Sequence, residues 1–180
     1  IRKKISDLNQ KINPLQFTKL SNLNDMITIE YFGISPFEIE VIYNTLSKLS
    51  PVDEKKILTE ESGYVSLLNI EFPTPYDEYF FQSLGFDNWQ KIKYLFKEMK
   101  RRRGKKAFKI TLSFCGISAD INSKVDFLLT NEIGPQFEYA IEKIEHAIDS
   151  IHQEITNLGS KRQFMIYTYD ASAMKWLLSE

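Results

Sequence analysis

The chain has 180 residues, of which 43% are hydrophobic and 26% are charged, a composition that excludes an intrinsically disordered protein and favours one well-buried core. Its single cysteine, Cys115, excludes an internal disulfide framework and a cysteine-based zinc cluster within one chain. No apolar stretch approaches the roughly 18 residues that predict a membrane span, and no signal-peptide pattern follows Ile1, so we predict a cytoplasmic protein without membrane contact.

The net charge of −1 conceals a very uneven distribution of charge along the chain. Residues 91–109 contain ten basic residues and one acidic residue, a net charge of +9, so the rest of the chain carries −10. Charge asymmetry of this kind bears on binding partners rather than on the fold.

The first part of the chain alternates between helix and strand patterns. An N-terminal helix is predicted because apolar residues recur there at helical spacing: Ile1, Ile5, Leu8 and Ile12. Residues 26–33 alternate apolar and polar side chains and predict a strand, whereas residues 35–51 predict a helix that begins after a serine cap and ends before a proline. Residues 55–72 predict two strands that form a hairpin around Gly63.

A second helix and two strands follow. The helix is predicted over residues 89–103, with Gly104 as its terminator and one apolar face: Trp89, Ile92, Leu95, Phe96 and Met99. Residues 105–116 predict a strand whose inward side carries Phe108, Ile110, Leu112 and Phe114. Another strand is predicted over residues 124–131, with Val125, Phe127 and Leu129 directed inward.

The last part of the chain predicts one long helix, a strand and a short terminal helix. The long helix begins near Gly134 and has apolar residues four and three apart: Phe137, Ile141, Ile144, Ile148, Ile151, Ile155 and Leu158. This pattern favours a helix that covers the sheet, and a coiled-coil seam is the alternative. The strand spans residues 162–170, and residues 171–180 complete the chain as a helix.

The order of these elements predicts an α+β fold. We expect a mostly antiparallel sheet of about six strands with helices packed on one face, in an extended ferredoxin-like βαββαβ order, plus the N-terminal helix. We expect residues 1–24 to form an N-terminal helix and linker, a candidate oligomerisation or docking element, and residues 25–180 to form a single domain. Ile1, Ile5, Leu8 and Ile12 are the candidate interface of a homodimer.

No residue is nominated as catalytic, and neither a metal nor a cofactor is predicted. The glycine-rich phosphate-binding motifs and the H-E-x-x-H zinc motif do not occur in the sequence. His146 and His152 lie about 240° apart around a helix, so they cannot face one metal and are expected to be solvated. An enzyme would need a composite site from residues distant in sequence: Asp77, Asp87, Asp120, His146 and Cys115.

The basic run is the strongest functional signal. The helix macrodipole and the terminating Gly104 explain one to three positive charges in the last turn, but not those on either side. We therefore predict a non-catalytic binding module with a basic face for RNA or DNA backbone, recognised with little sequence specificity. An acidic protein partner and a merely solvated surface are the alternatives. The face comprises Lys93, Lys97, Lys100, Arg101, Arg102, Arg103, Lys105, Lys106 and Lys109.

Overall fold

The computed structural model of the protein describes residues 26–58, 63–117, 123–158 and 164–179. Its strands are β1 (Ile27–Phe32), β2 (Val52–Lys56), β3 (Ser66–Phe72), β4 (Phe108–Phe114), β5 (Lys124–Thr130), β6 (Phe164–Asp170) and β7 (Lys175–Leu178). Its α-helices are α1 (Pro36–Leu46), α2 (Glu78–Leu84), α3 (Phe86–Arg103), α4 (Phe137–Glu142) and α5 (Ile148–Leu158), and a 3₁₀ helix spans Asn131–Gln136. The predicted N-terminal helix and its apolar interface lie outside the described residues.

Three strand–helix–strand units follow one another across a seven-stranded sheet of order β2-β1-β3-β4-β5-β6-β7. Within each unit the two strands are parallel neighbours, namely β1 with β2, β3 with β4, and β5 with β6. Antiparallel pairing joins β1 to β3, β4 to β5 and β6 to β7. The fold is therefore α+β, but the sheet is mixed and has seven strands rather than about six. The ferredoxin-like order is not confirmed, because the parallel strands are direct neighbours.

The predicted hairpin within residues 55–72 is wrong. β2 pairs in parallel with β1, and β1 also pairs with β3, so β1 lies between the two strands that were expected to be neighbours. Four of the five residues of β2 are charged, which is typical of a sheet edge protected from further pairing.

The α-helices of the described ranges pack on one face of the sheet and enclose a single continuous core. The inward side chains predicted for β4 and β5 are confirmed, since all are at most 1% exposed, and the apolar face of α3 is buried as predicted. Helix α1 begins with a capping box in which Ser35 and Glu38 satisfy each other's backbone groups. None of the described helices combines the length and the apolar character that crossing a lipid bilayer requires.

The predicted long helix is wrong, because the chain forms a 3₁₀ helix, α4, a turn and α5 instead. Side chains from elsewhere satisfy the backbone at the break: Trp176 Nε1 donates to the carbonyl of Ala140 at 3.1 Å, and the Tyr76 hydroxyl donates to that of Ile144. The stripe from Phe137 to Ile155 is buried against the sheet. The break excludes a coiled coil, and the covering role is confirmed.

The predicted terminal helix is also wrong, because residues 175–178 form the edge strand β7. The Asp170 carboxylate accepts hydrogen bonds from the backbone of Ser172 and Ala173, which fixes a turn after β6. The returning chain then buries Trp176 beside Tyr169, with their ring centroids 5.6 Å apart.

Candidate functional site

The basic run divides into residues that the fold neutralises and residues that it exposes. Helix α3 presents its apolar side to the sheet, and Gly104 ends the helix with a φ of 58°. The inner basic group consists of Lys93, Lys97 and Arg103, which point toward neighbouring helices. The basic corner consists of Lys100, Arg101, Arg102, Lys105 and Lys106, at the end of α3 and in the turn that follows.

Lys93 is buried, which corrects its predicted exposure. Its side chain is 1% exposed, and its Nζ lies 2.6 Å from Glu142 Oε2 and 2.5 Å from Glu145 Oε1. Burial alone would lower the pKa of Lys93, but hydrogen bonds to the two glutamates outweigh burial and raise it. Lys97 completes the cluster, with its Nζ 2.6 Å from Glu142 Oε1. These lysines therefore join α3 to α4 instead of facing a ligand.

Arg103, like Lys93, is held by contacts within the fold, because all of its N–H groups donate hydrogen bonds to described acceptors. Its Nη1 and Nη2 donate to the two carboxylate oxygens of Glu38 at 3.0 Å each, and its Nε donates to Ser66 Oγ at 2.7 Å. The carbonyls of Met99 and Gly33 accept the remaining bonds. Burial alone would raise the pKa of Glu38, but hydrogen bonds from Arg103 and Ser35 lower it to about 2.

The basic corner is exposed to solvent except at Lys100, which is half-buried and donates to the carbonyl of Gly104 at 3.2 Å. Arg101 is 73% exposed and, among the described residues, pairs only with Glu98 on its own helix, while Arg102 is 51% exposed and 3.7 Å from Glu38. Lys105 and Lys106 are exposed, and neither forms an ion pair within the described part of the chain. Arg102 and Lys106 line a shallow groove of about 510 Å³, together with Gly33 and Glu38.

Lys109 lies on the opposite side of the sheet from the helices. Its Nζ is 5.9 Å from the centroid of the Tyr64 ring, and it lines a hollow of about 310 Å³ on the open sheet face. The nine predicted residues thus occupy three places: a helix–helix interface, the basic corner and the open sheet face.

The hollow on the open face is the feature that sequence reasoning missed. All nine of its lining residues are polar or charged. Sheet register places Glu71, Ser113 and Asp126 side by side across β3, β4 and β5. Lys124 pairs with Glu71 at 3.1 Å, and Lys55 pairs with Glu30 at 3.4 Å.

Asp126 is more deeply buried than Glu30 and Glu71, the other two acids that line the hollow. It is 9% exposed, and its Oδ1 has no hydrogen-bond partner among the described residues. Burial raises the pKa of Asp126, although a hydrogen bond to Ser113 and the charge of Lys124 oppose that rise. The alternation of inward and outward side chains along residues 124–130 predicts that Asp126 points away from the core. It does not predict that this outward carboxylate is buried.

The residues considered for an enzyme do not gather in one place. His146 is exposed beside α5, as expected, but His152 is half-buried with its Nε2 2.6 Å from the Tyr76 carbonyl oxygen. Cys115 lines a different hollow and donates to the Pro73 carbonyl at 3.1 Å, and burial raises the pKa of its thiol. Asp77 caps α2. Asp120 lies outside the described residues, and within those residues no cluster suited to a metal ion is found.

Comparisons with known proteins give no relative. The chain matches no family model, no curated protein and no solved structure. Any function must therefore be inferred from the described residues themselves.

Proposed function

We propose that this protein binds the backbone of a nucleic acid through the basic corner. The main support for this proposal is the exposure of Lys105 and Lys106 beside Arg101 and Arg102. Neither lysine has an acidic partner in the described ranges. Both lysines follow Gly104, so they lie beyond the helix end and the macrodipole of α3 does not explain them.

The local charge balance supports a polyanionic ligand. The corner and the adjoining Arg103 provide six positive charges, and among the described residues the acids that contact them are Glu98 and Glu38, which leaves a net charge of +4 within the described ranges. Such a cluster attracts phosphates and releases their condensed counterions. Lys and Arg contacts to phosphate position a nucleic acid but carry no sequence information, so the corner alone has little sequence specificity.

The test is binding of a fluorescent single-stranded RNA, followed by anisotropy at about 50 mM salt and then at rising salt. Wild-type protein should bind, and three to five phosphate contacts should make log K fall against log salt with a slope of about −2 to −3.5. The double variant Lys105→Glu and Lys106→Glu should lose most of this binding. Arg103 is left intact, because its reversal would also break its contacts with Glu38.

A matched control reverses two lysines at the far end of α3. Lys48 and Lys91 are exposed, and Lys48 donates to Asn88 near the start of that helix. Lys48→Glu together with Lys91→Glu changes the net charge by the same amount, so general electrostatics predicts the same loss whereas corner binding predicts little. No binding by the intact protein at low salt would overturn the proposal and would favour an acidic protein as the partner of the corner.

A further inference from the structure

The chain passes directly from the basic corner to the open sheet face. Lys106 is followed after three residues by Lys109, the first outward side chain of β4 that lines the hollow. Ser113 lies four residues beyond Lys109 on β4, and Asp126 lies opposite Ser113 on the adjacent strand β5. At about 3.3 Å per residue, at most roughly 23 Å separates Lys106 from the row that contains Asp126. A strand bound at the corner can therefore reach the hollow.

The hollow suits a nucleobase better than a phosphate. Glu30, Glu71 and Asp126 outnumber Lys109 and Lys124 within it, so a phosphate would meet net negative charge. Oδ1 of Asp126 is buried and has no donor among the described residues, and a buried acceptor without a donor is costly. Rotation of the carboxylate toward a donor placed in the hollow would relieve that cost. An amino group on a base edge is a donor of the required kind, as cytosine N4 is for Asp or Glu in base recognition.

A ring platform lies at the rim of the hollow. Phe164 on β6 is 55% exposed and pairs in register with Lys124 of β5, which lines the hollow and whose Nζ lies 5.6 Å from the centroid of the Phe164 ring. Exposed aromatic rings on open sheets stack with unpaired bases, whereas the bases of a duplex are not available for such contacts. This neighbour favours a single strand over a duplex.

We propose that the Asp126 hollow holds one base of a single-stranded nucleic acid, and that this base presents an exocyclic amino group to the carboxylate of Asp126. This inference rests on the proposed function, since the basic corner supplies the backbone affinity. It adds base selectivity, which the corner does not provide. Cytosine and uracil are the matched probes, because they have similar size and differ at the edge that carries an amino group or a carbonyl oxygen.

The test compares 12-nucleotide oligocytidine and oligouridine, which even when stacked are long enough, at about 3.4 Å per nucleotide, to span corner and hollow. Wild-type protein should prefer oligocytidine by about tenfold, the discrimination that one good base contact supplies. Asp126→Asn should remove or invert this preference, because a carboxamide can donate to the carbonyl of uracil. Single strands should also bind more tightly than a duplex of the same length.

The matched control is Asp53→Asn, which removes the charge of an exposed acid on the same sheet face at the β2 edge. This variant should keep the preference for oligocytidine. Equal affinity of wild-type protein for the two oligonucleotides, a duplex bound as tightly as a single strand, or an unchanged preference in Asp126→Asn would each overturn the inference while leaving the proposed function intact. No binding of any oligonucleotide would instead overturn the proposed function.

A second measurement keeps the inference testable if Asp126→Asn does not fold. Backbone amide signals of wild-type protein can be followed by NMR as oligocytidine is added. Signals of residues 109–113 and 124–128 should shift together with those of the basic corner. Shifts confined to the corner would show that the open face is not used and would overturn the inference.

Discussion

The inner basic group and the basic corner belong to one run of sequence but meet opposite environments. Lys93 and Arg103 are enclosed by carboxylates of α4 and α1, whereas Lys105 and Lys106 face solvent without an acidic neighbour among the described residues. Charge density along a sequence is therefore a poor measure of surface charge, because distant acids can neutralise it in the fold. The comparison predicts a separation of roles: the inner group stabilises the fold, and the corner binds.

The largest expected effect is on stability, from replacement of Lys93 by methionine. The change leaves Glu145 without its cation near the α3–α4 interface. Breaking a buried pair costs about 3–5 kcal/mol, and partial exposure of Glu142 and Glu145 reduces this to about 2–3 kcal/mol. Urea unfolding measures the loss, and RNA affinity should remain that of the wild type.

The control for this prediction adds Glu145→Leu to Lys93→Met. Removing the uncompensated carboxylate should recover part of the lost free energy of unfolding, because an apolar pair can replace a buried ion pair. A Lys93→Met variant that is as stable as the wild type, or that loses RNA binding while remaining folded, would erase the distinction between the two groups.

The next effect concerns acid stability and Glu38. Its folded pKa is lowered from 4.5 to about 2, so its contribution to stability is present above the unfolded pKa and is lost as the pH falls toward 2. The difference between these two pKa values corresponds to about 3 kcal/mol near neutral pH, of which the neutral amide of Glu38→Gln should retain part through its remaining hydrogen bonds. Glu38→Gln should therefore be less stable than the wild type at about pH 7 and closer to it at about pH 3. Denaturant unfolding at both pH values measures the two differences.

A charge-removing substitution in the basic corner should not change the pH dependence of stability. Lys105→Gln should leave the free energy of unfolding unchanged at both pH values, since no described carboxylate contacts that lysine. If the wild type and Glu38→Gln instead differed by the same amount at neutral and acidic pH, ionisation of Glu38 would not be what holds Arg103.

The sequence predicted local structure well where one side of an element faces the core. The strict alternation of β4 and the apolar face of α3 were read correctly, because burial of one face imposes a period that composition reveals. The pairing of β2 was not predictable in this way, since alternation identifies a strand but not its neighbours. The prediction of a helix over residues 171–180 was wrong because Trp176 and Leu177 fit a short helix as well as a strand.

The candidate site was predictable only in part. Of the predicted basic face, Arg101, Arg102, Lys105 and Lys106 are exposed. The acids that neutralise Lys93 lie about fifty residues away and come close only through the packing of α4 on α3. The broken long helix has the same kind of cause, because Tyr76 and Trp176 satisfy its carbonyls from distant segments. Asp126 could not be distinguished from any other outward strand acid without the register of three strands.

The smallest expected effect is on RNA affinity, from the exposed pair of Arg101 and Glu98. Both side chains belong to the same helix surface, and pairs of this kind contribute little to stability, so neither Arg101→Ala nor Glu98→Gln should change the free energy of unfolding measurably. Arg101→Ala should weaken RNA binding and reduce the salt slope by about 0.7, the share of one phosphate contact with a single strand. Glu98→Gln should strengthen binding, because it frees Arg101 from its carboxylate. Anisotropy measures both affinities. Weaker binding by Arg101→Ala together with stronger binding by Glu98→Gln would place Arg101 in the binding surface, whereas the same change of affinity in both variants would place it outside.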